Sequence, residues 1–339
     1  MPDRAIAAQS FIAAAGWAAA ERRHLAGDAS DRSYQRLTLA GRSAVLMDSP
    51  PGTGDDPASF VHIAGHLRDL GLSAPAILEQ DLARGFLLLE DLGDSLFARL
   101  LKDGQGDERE LYTAATDVLL HLQRHPAPTG LANLDAGEWA QAAAVALEWY
   151  AFGISGQCPD PARFVATLAD MLSRHADGPR VLILRDYHAE NLIWLPDRQG
   201  LARVGLLDFQ LAQMGQPAYD LVSLLQDARR DVSLATEKAL TLHFSQNSML
   251  ESAPFQAAYA AIGAQRALRI LGIFARLCIV AGKPAYVRLI PRVWGQLQRN
   301  LAHPGLAALR AICDDLLPPP TPAALGKIEG LCNSQPPHF

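Results

Sequence analysis

The chain has 339 residues, 49% hydrophobic and 19% charged, a balance that supports one large core or two moderate ones and excludes a disordered chain. A net charge of −6 argues against broad binding to a nucleic-acid backbone, leaving only local basic pockets for small anions. The four cysteines, Cys158, Cys278, Cys313 and Cys332, form no C-x-x-C pair, so neither a zinc site nor a disulfide framework is expected, and a reducing cytoplasm fits.

Residues 3–20 read as a helix. Its alanine-rich run imitates a signal-peptide core, but Gln9 and Ser10 interrupt it and Asp3 and Arg4 cancel, so no secretion leader is expected. Residues 33–48 read as a hairpin turning through Ala40-Gly41-Arg42, the start of a small antiparallel sheet. After a loop at 50–57, Ile63, Leu67 and Leu70 recur at helical spacing up to a stop at Gly71. Residues 76–80 and 86–90 form a second hairpin that ends in Asp91-Leu92-Gly93-Asp94, the expected hinge between two lobes.

Beyond it the pattern is mostly helical, at about 95–101, 108–125, 136–151, 161–175, 217–227, 233–249, 256–280, 284–301 and 304–316. The only later strands are expected near 181–184, 191–195 and 203–208. The apolar stretch 260–282 carries Arg266, Arg269 and Arg276, which would be costly in lipid, so no transmembrane span is expected. Residues 317–339 hold Pro318-Pro319-Pro320, Pro322 and Pro336-Pro337 with little apolar periodicity and read as an extended or partly disordered tail. There is no internal repeat.

Chemistry concentrates in Leu184-Arg185-Asp186-Tyr187-His188-Ala189-Glu190-Asn191 and, after a strand-turn-strand, Leu206-Leu207-Asp208-Phe209-Gln210. Phosphoryl transfer requires a base or orienting group at the acceptor hydroxyl, oxygen ligands for magnesium, and donors around the polyphosphate. Asp186 fits the first role, while Asn191 and Asp208 supply metal-binding oxygens. Any one of these residues alone is as readily a turn or capping residue. Their order, with apolar strands before Arg185 and Asp208 and the turn Pro196-Asp197-Arg198-Gln199-Gly200 between, is that of protein-kinase-like phosphotransferases.

On these motifs the chain resembles the aminoglycoside phosphotransferase and choline kinase superfamily over nearly its whole length. More narrowly, residues 184–196 and Leu207-Asp208-Phe209-Gln210, with residues 265–277 and Arg292-Val293-Trp294, resemble the bacterial anomeric N-acetylmuramate/N-acetylglucosamine kinases. The resemblance implies ATP- and Mg²⁺-dependent phosphorylation of a sugar C1 hydroxyl in peptidoglycan recycling, with a small amino sugar as partner and neither nucleic acid nor membrane. It also implies an α+β, protein-kinase-like two-lobe fold with a small antiparallel β-rich N-lobe and a larger, mostly helical C-lobe. The lobes would span 1–91, for nucleotide, and 92–316, for catalysis and sugar, followed by the tail 317–339.

Leu184 stands where the wider superfamily usually has His, and Gln210 replaces a common acidic residue or glycine; both agree with the narrower family. Val45-Leu46-Met47-Asp48 runs where a strand lysine would normally hold the α- and β-phosphates, and Met47 cannot do so. Arg32, Arg36, or the turn at residues 27–33 with its Ser30 and Ser33 hydroxyls could neutralise the phosphates instead, although both arginines also read as solvated hairpin surface. The backbone at Glu90 and Leu92 would meet adenine. His188 is placed either to bond the sugar or as a structural loop residue.

Arg266 and Arg269 are open between a solvated helix face and a clamp on a carboxylate such as the lactyl group of N-acetylmuramate. Glu148 and Tyr150, flanking Trp149, are open between sugar stacking and core. Asp220 resembles a helix-start residue that braces the catalytic loop. Three functions remain to be separated: a sugar-1-kinase, an aminoglycoside- or choline-type kinase, and a non-catalytic nucleotide-binding pseudokinase.

Overall fold

A computed structural model describes residues 4–26, 32–52, 56–248 and 250–334. The chain opens with α1 (Arg4–Ala14), then β1 (Glu21–Ala26), β2 (Ser33–Leu39), β3 (Arg42–Asp48) and α2 (Pro57–Asp69). A second hairpin, β4 (Ile77–Asp81) and β5 (Phe86–Glu90), precedes α3 (Phe97–Lys102) and α4 (Glu108–Leu122). Next, α5 (Ala136–Ala143) runs through a π-helical turn (Ala146–Ala151) into the short α6 (Phe152–Ser155), followed by α7 (Ala162–His175). Four short strands come next: β6 (Val181–Ile183), β7 (Leu192–Trp194), β8 (Val204–Leu206) and β9 (Gln213–Gly215). The remainder is helical: α8 (Tyr219–Leu225), α9 (Leu234–Asn247), α10 (Ser252–Ile279), α11 (Ile290–Leu301), α12 (Ala307–Leu316) and α13 (Pro322–Gly330). Two compact units result, Met1–Thr129 with Leu184–Ala212, and Gly130–Ile183 with Gln213–Phe339. Residue 91, the expected lobe boundary, lies inside the first unit.

In the first unit an antiparallel sheet of order β1-β2-β3-β5-β4 carries α1 on one face. Side-chain alternation decides which residues meet that helix. Leu37, Ala44, Leu46, Phe86 and Leu88 join Phe11, Ile12 and Trp17 in an apolar core, which leaves Arg36, Val45 and Met47 on the opposite face. The β2–β3 turn uses Ala40 and Gly41 at φ 49° and 78°, the left-handed pair that matches strand twist. Strand β1 was not expected: Glu21-Arg22-Arg23-His24 are all exposed, so this edge strand lacks apolar alternation and is marked instead by the charges that blunt an edge. Helix α2 begins as its sequence directs, with the Asp56 side chain accepting from Ala58 N–H and Pro57 in the first turn.

The second unit is built on α10, whose 28 residues pack against α5, the π-helical turn, α7 and α11. Gly272 makes this possible: a Cβ there would lie 2.2 Å from the Val145 carbonyl oxygen, so the helix backbone meets the entry of the π-turn directly. Strand β9, also unexpected, pairs with β6 across Leu182↔Met214, and Gly215 accommodates Ile183. Three residues with one apolar side chain give no period for sequence to reveal.

The tail corrects a second expectation. Residues 322–330 are helical, capped by the Thr321 hydroxyl on Ala324 N–H, with Ala324 and Ile328 buried. Its proline sits in the first turn, where it favours rather than breaks a helix. The Tyr150 hydroxyl donates to Pro318 O at 2.6 Å and Lys327 Nζ to Ile154 O at 3.0 Å. The Cys332 thiol donates to Cys278 O at 3.1 Å, so these cysteines, distant in sequence, are neighbours as free thiols. Among the described residues no helix is long and apolar enough to cross a membrane. Gly272→Ala is expected to destabilise the protein by about 1–3 kcal/mol through overpacking, read as a lower urea midpoint; an unchanged midpoint would contradict this close approach.

Candidate active site

Two residues of the proposed chemistry are set by one hairpin in the first unit. Asn191 directly precedes β7, and Asp208 follows β8 after Leu207. The ladder Leu192↔Leu206, Ile193↔Gly205, Trp194↔Val204 draws those ends together, and the Leu207 N–H closes it on Asn191 O at 3.0 Å. The hairpin is itself tied down, with Leu206 N–H donating to Ser73 O at 2.9 Å and Trp194 N–H to Ser95 O at 2.8 Å. Gly205 lies closely packed in the middle, where a Cβ would sit 3.1–3.3 Å from Leu92, Ile193 and Leu195 side chains and would require them to shift.

The loop before β7 is anchored at its apolar residue. Tyr187 is buried and donates its hydroxyl to Ala115 O on α4 at 2.9 Å. Asn191 donates its amide to the Asp186 carbonyl at 2.9 Å, which fixes the five-residue loop and orients the Asn side chain. Its Oδ1 accepts no hydrogen bond among the described residues. Asp186 is half-buried, and among the described residues its carboxylate has neither hydrogen bond nor ion pair. His188 is buried, with Nε2 3.5 Å from the Asn191 amide nitrogen, inside the loop. Arg185 and Asp208 both adopt left-handed backbone, φ 72° and 56°, which costs a non-glycine residue about 1–3 kcal/mol.

At Asp208 the electrostatics are dominated by two donors on one oxygen. Arg32 Nη2 and Gln210 Nε2 each lie 2.9 Å from Oδ1, while the Asn191 amide is 3.5 Å from Oδ2. The Arg32 side chain is 7% exposed and that of Asp208 38%, so the pair is enclosed on the arginine side and open on the other. Phe209 is fully buried and stacks on Phe60 of α2 with centroids 4.8 Å apart. Gln210, seen in sequence only as a departure from a pattern, thus braces the carboxylate beside it. Its Oε1 is buried without a partner.

Of the other sequence candidates for nucleotide, Ser30 lies outside the described residues, and Ser33 begins β2 opposite Asp48. Arg36 is bound to Asp94 at 2.6 Å and Asp91 at 2.7 Å. This pairing raises its pKa still further and, through the hydrogen bond from Arg36, holds Asp94 below the usual carboxylate range. The Glu90 carboxylate accepts from Arg198 at 2.5 Å and from Ala76 N–H at 3.1 Å, while Arg198 also reaches Ser73 Oγ at 2.7 Å. Glu90 therefore clamps the β7–β8 turn to the end of β5. The Leu92 main chain makes no hydrogen bond among the described residues and keeps its donor and acceptor available.

The remaining candidates belong to the second unit. Tyr150 is fully buried on the π-turn, its hydroxyl is committed to Pro318 and burial raises its pKa, so of the two placements left open for it the structure has the core one. Glu148, on the same turn, is half-exposed. On α10 the guanidinium of Arg266 lies 4.6 Å over the Tyr219 ring and donates to Ser223 Oγ at 2.7 Å. Arg269 is half-exposed one turn further on, and Asp220 is buried in α8.

A model of the phosphotransferase enzyme family matches residues 21–245. The chain belongs to that family. Within it, the chain is similar to the N-acetylmuramate/N-acetylglucosamine kinase of Caulobacter vibrioides, 39% identical over 93% of this chain and 97% of the relative. It is also similar to the kinase of the same name from Pseudomonas aeruginosa, 34% identical over 88% and 90%. Its fold is similar to that of a choline/ethanolamine kinase family protein from Mesorhizobium loti, with TM-score 0.62, 14% identity, 97% of this chain and all of the other covered. A ternary complex of an aminoglycoside phosphotransferase with streptomycin and ATP gives TM-score 0.51 at 13% identity, covering 74% and 84%. The α+β, kinase-like fold expected from sequence is the observed one. In this phosphotransferase Tyr187→Phe, which removes the second donor from a carbonyl that keeps its helical bond within α4, is expected to cost about 0.5–1.5 kcal/mol in urea denaturation and to lower turnover; wild-type stability would contradict the anchoring role.

Proposed function

We propose that this phosphotransferase is an ATP-dependent kinase of N-acetylmuramate and N-acetylglucosamine that phosphorylates the anomeric C1 hydroxyl, in the cytoplasm and in the service of cell-wall recycling. The observation that carries the reading is the Asp186 carboxylate, without a partner among the described residues, in a loop whose Asn191 is closed against Asp208 by the β7–β8 hairpin. The acceptor class is supported by two relatives of that name that align with most of the chain.

Asp186 orients the acceptor hydroxyl and takes its proton as the oxygen attacks the γ-phosphate in line. An anomeric hydroxyl is more acidic than an ordinary sugar alcohol, so a carboxylate is base enough. The residues present fit a magnesium ion. Asn191 Oδ1 and the Asp208 carboxylate are hard oxygen donors that would hold it, and Gln210 Oε1, buried without a hydrogen-bond donor, would accept from a water on the ion. Bound there, magnesium would neutralise charge on the phosphates. Leu92 offers its main-chain donor and acceptor to adenine.

Asp186→Asn should lower ADP release with either amino sugar by about 10²- to 10⁴-fold, the usual worth of a positioned base, while ATP affinity stays within about two-fold. Turnover retained in that variant would remove Asp186 from the reaction.

A further inference from the structure

The face of the sheet opposite α1 lacks the strand cation that a kinase-like phosphotransferase uses on its nucleotide. Val45 and Met47 point that way from β3, since Ala44 and Leu46 between them join the α1 core. Arg36 pairs with Val45 in register and is the nearest substitute in the sheet. Its guanidinium is nevertheless spent: two carboxylates, Asp91 and Asp94, neutralise it at the end of β5. Arg32 counts a different carboxylate among its partners. It pairs with Asp208, the very carboxylate assigned to the metal, and does so from a side chain that is 7% exposed.

We propose that Arg32 supplies the missing cation by exchange: it rests on Asp208 Oδ1 in the free protein and transfers its guanidinium to the phosphate oxygens of the donor when Asp208 is taken over by the metal. The inference rests on the kinase reading above. A divalent ion on Asp208 competes with Arg32 for the same carboxylate, because two positive centres drawn to one small anion repel each other at close range. The fork of an arginine matches phosphate oxygens as well as carboxylate oxygens, so the guanidinium has an equivalent partner one short movement away. Gln210 keeps its own bond to Oδ1 through the exchange and preserves the carboxylate's orientation. Asp208 is thus never left as an unpaired charge, whether the donor is bound or absent.

Exchange gives Arg32 opposite effects on metal and on nucleotide, which a latch that merely shapes the loop does not. The full-length protein, Arg32→Gln and Arg32→Lys are compared by titration calorimetry with Mg·ATP and with AMP, and by electron paramagnetic resonance with Mn²⁺ alone. In Arg32→Gln, ATP affinity should fall by about 10- to 100-fold, the worth of a charge-assisted phosphate contact, with AMP affinity held within about two-fold. Mn²⁺ should bind that variant several-fold more tightly than wild type, because no guanidinium competes for Asp208, and Arg32→Lys should lie between the two on both measures. Parallel loss of ATP, AMP and Mn²⁺ binding would make Arg32 a structural latch, and unchanged ATP affinity would remove it from the phosphates; either overturns the proposal. A wild type that binds ATP yet phosphorylates no amino sugar overturns the acceptor reading and leaves Arg32 to be judged by these titrations, whereas one that binds no ATP overturns both.

Discussion

Three residue pairs between β7 and β8, closed by the Leu207 N–H on the Asn191 carbonyl, are the constraint on which the site depends. A ladder this short could not hold its register in isolation. It is held by what surrounds it: Ser73 on Leu206, Ser95 on Trp194, and Arg198 bridging the turn to Glu90 and Ser73. Seventeen positions apart in sequence, Asn191 and Asp208 become neighbours because each stands at an open end of the same hairpin. The loop carrying Asp186 is then fixed from both sides, by Tyr187 on α4 and by the Asn191 amide on the Asp186 carbonyl.

Charge is distributed unevenly over this frame. Asp186 has no partner among the described residues, as an acceptor-side carboxylate requires, whereas Asp208 already holds Arg32 and Gln210. The left-handed backbone at Arg185 and Asp208 costs local stability on both sides of the site. Buried anchors at Phe209, stacked on Phe60, and at Tyr187 oppose that cost. Arg36 does a different task with the same kind of side chain, fastening β2 to Asp91 and Asp94. Two arginines four residues apart therefore serve different carboxylates, Arg32 that of Asp208 and Arg36 those of Asp91 and Asp94.

Much of this was legible in sequence. The two hairpins of the sheet announced themselves through alternation and turn residues, and Asp186, Asn191 and Asp208 through spacing between apolar strands. What stayed hidden lacked a local signal. Strand β1 is an edge strand of exposed charged residues, β9 is three residues long, and the helix at 322–330 was masked by prolines that in fact open it. Long-range pairing was equally invisible: nothing in the order of residues says that Arg32 meets Asp208, that Arg198 meets Glu90, or that the Tyr150 hydroxyl is taken by Pro318. The choice left open between Arg32 and Arg36 narrowed only when their partners were known.

The helix α10 shows how a side chain of apparent function acquires a structural partner. Arg266, open in sequence between a solvated helix face and an anion clamp, stacks on Tyr219 and bonds Ser223, while Arg269 one turn on is half-exposed. The reaction proposed for this chain makes one new bond, between the sugar C1 oxygen and phosphorus, and phosphorus NMR of the purified protein with Mg·ATP reads it directly. With N-acetylmuramate and with N-acetylglucosamine a sugar 1-phosphate resonance should grow as ATP is consumed, and the same sugars reduced at C1 should give none. Phosphorylation of the reduced sugars, or no sugar phosphate despite ATP binding, would contradict an anomeric kinase.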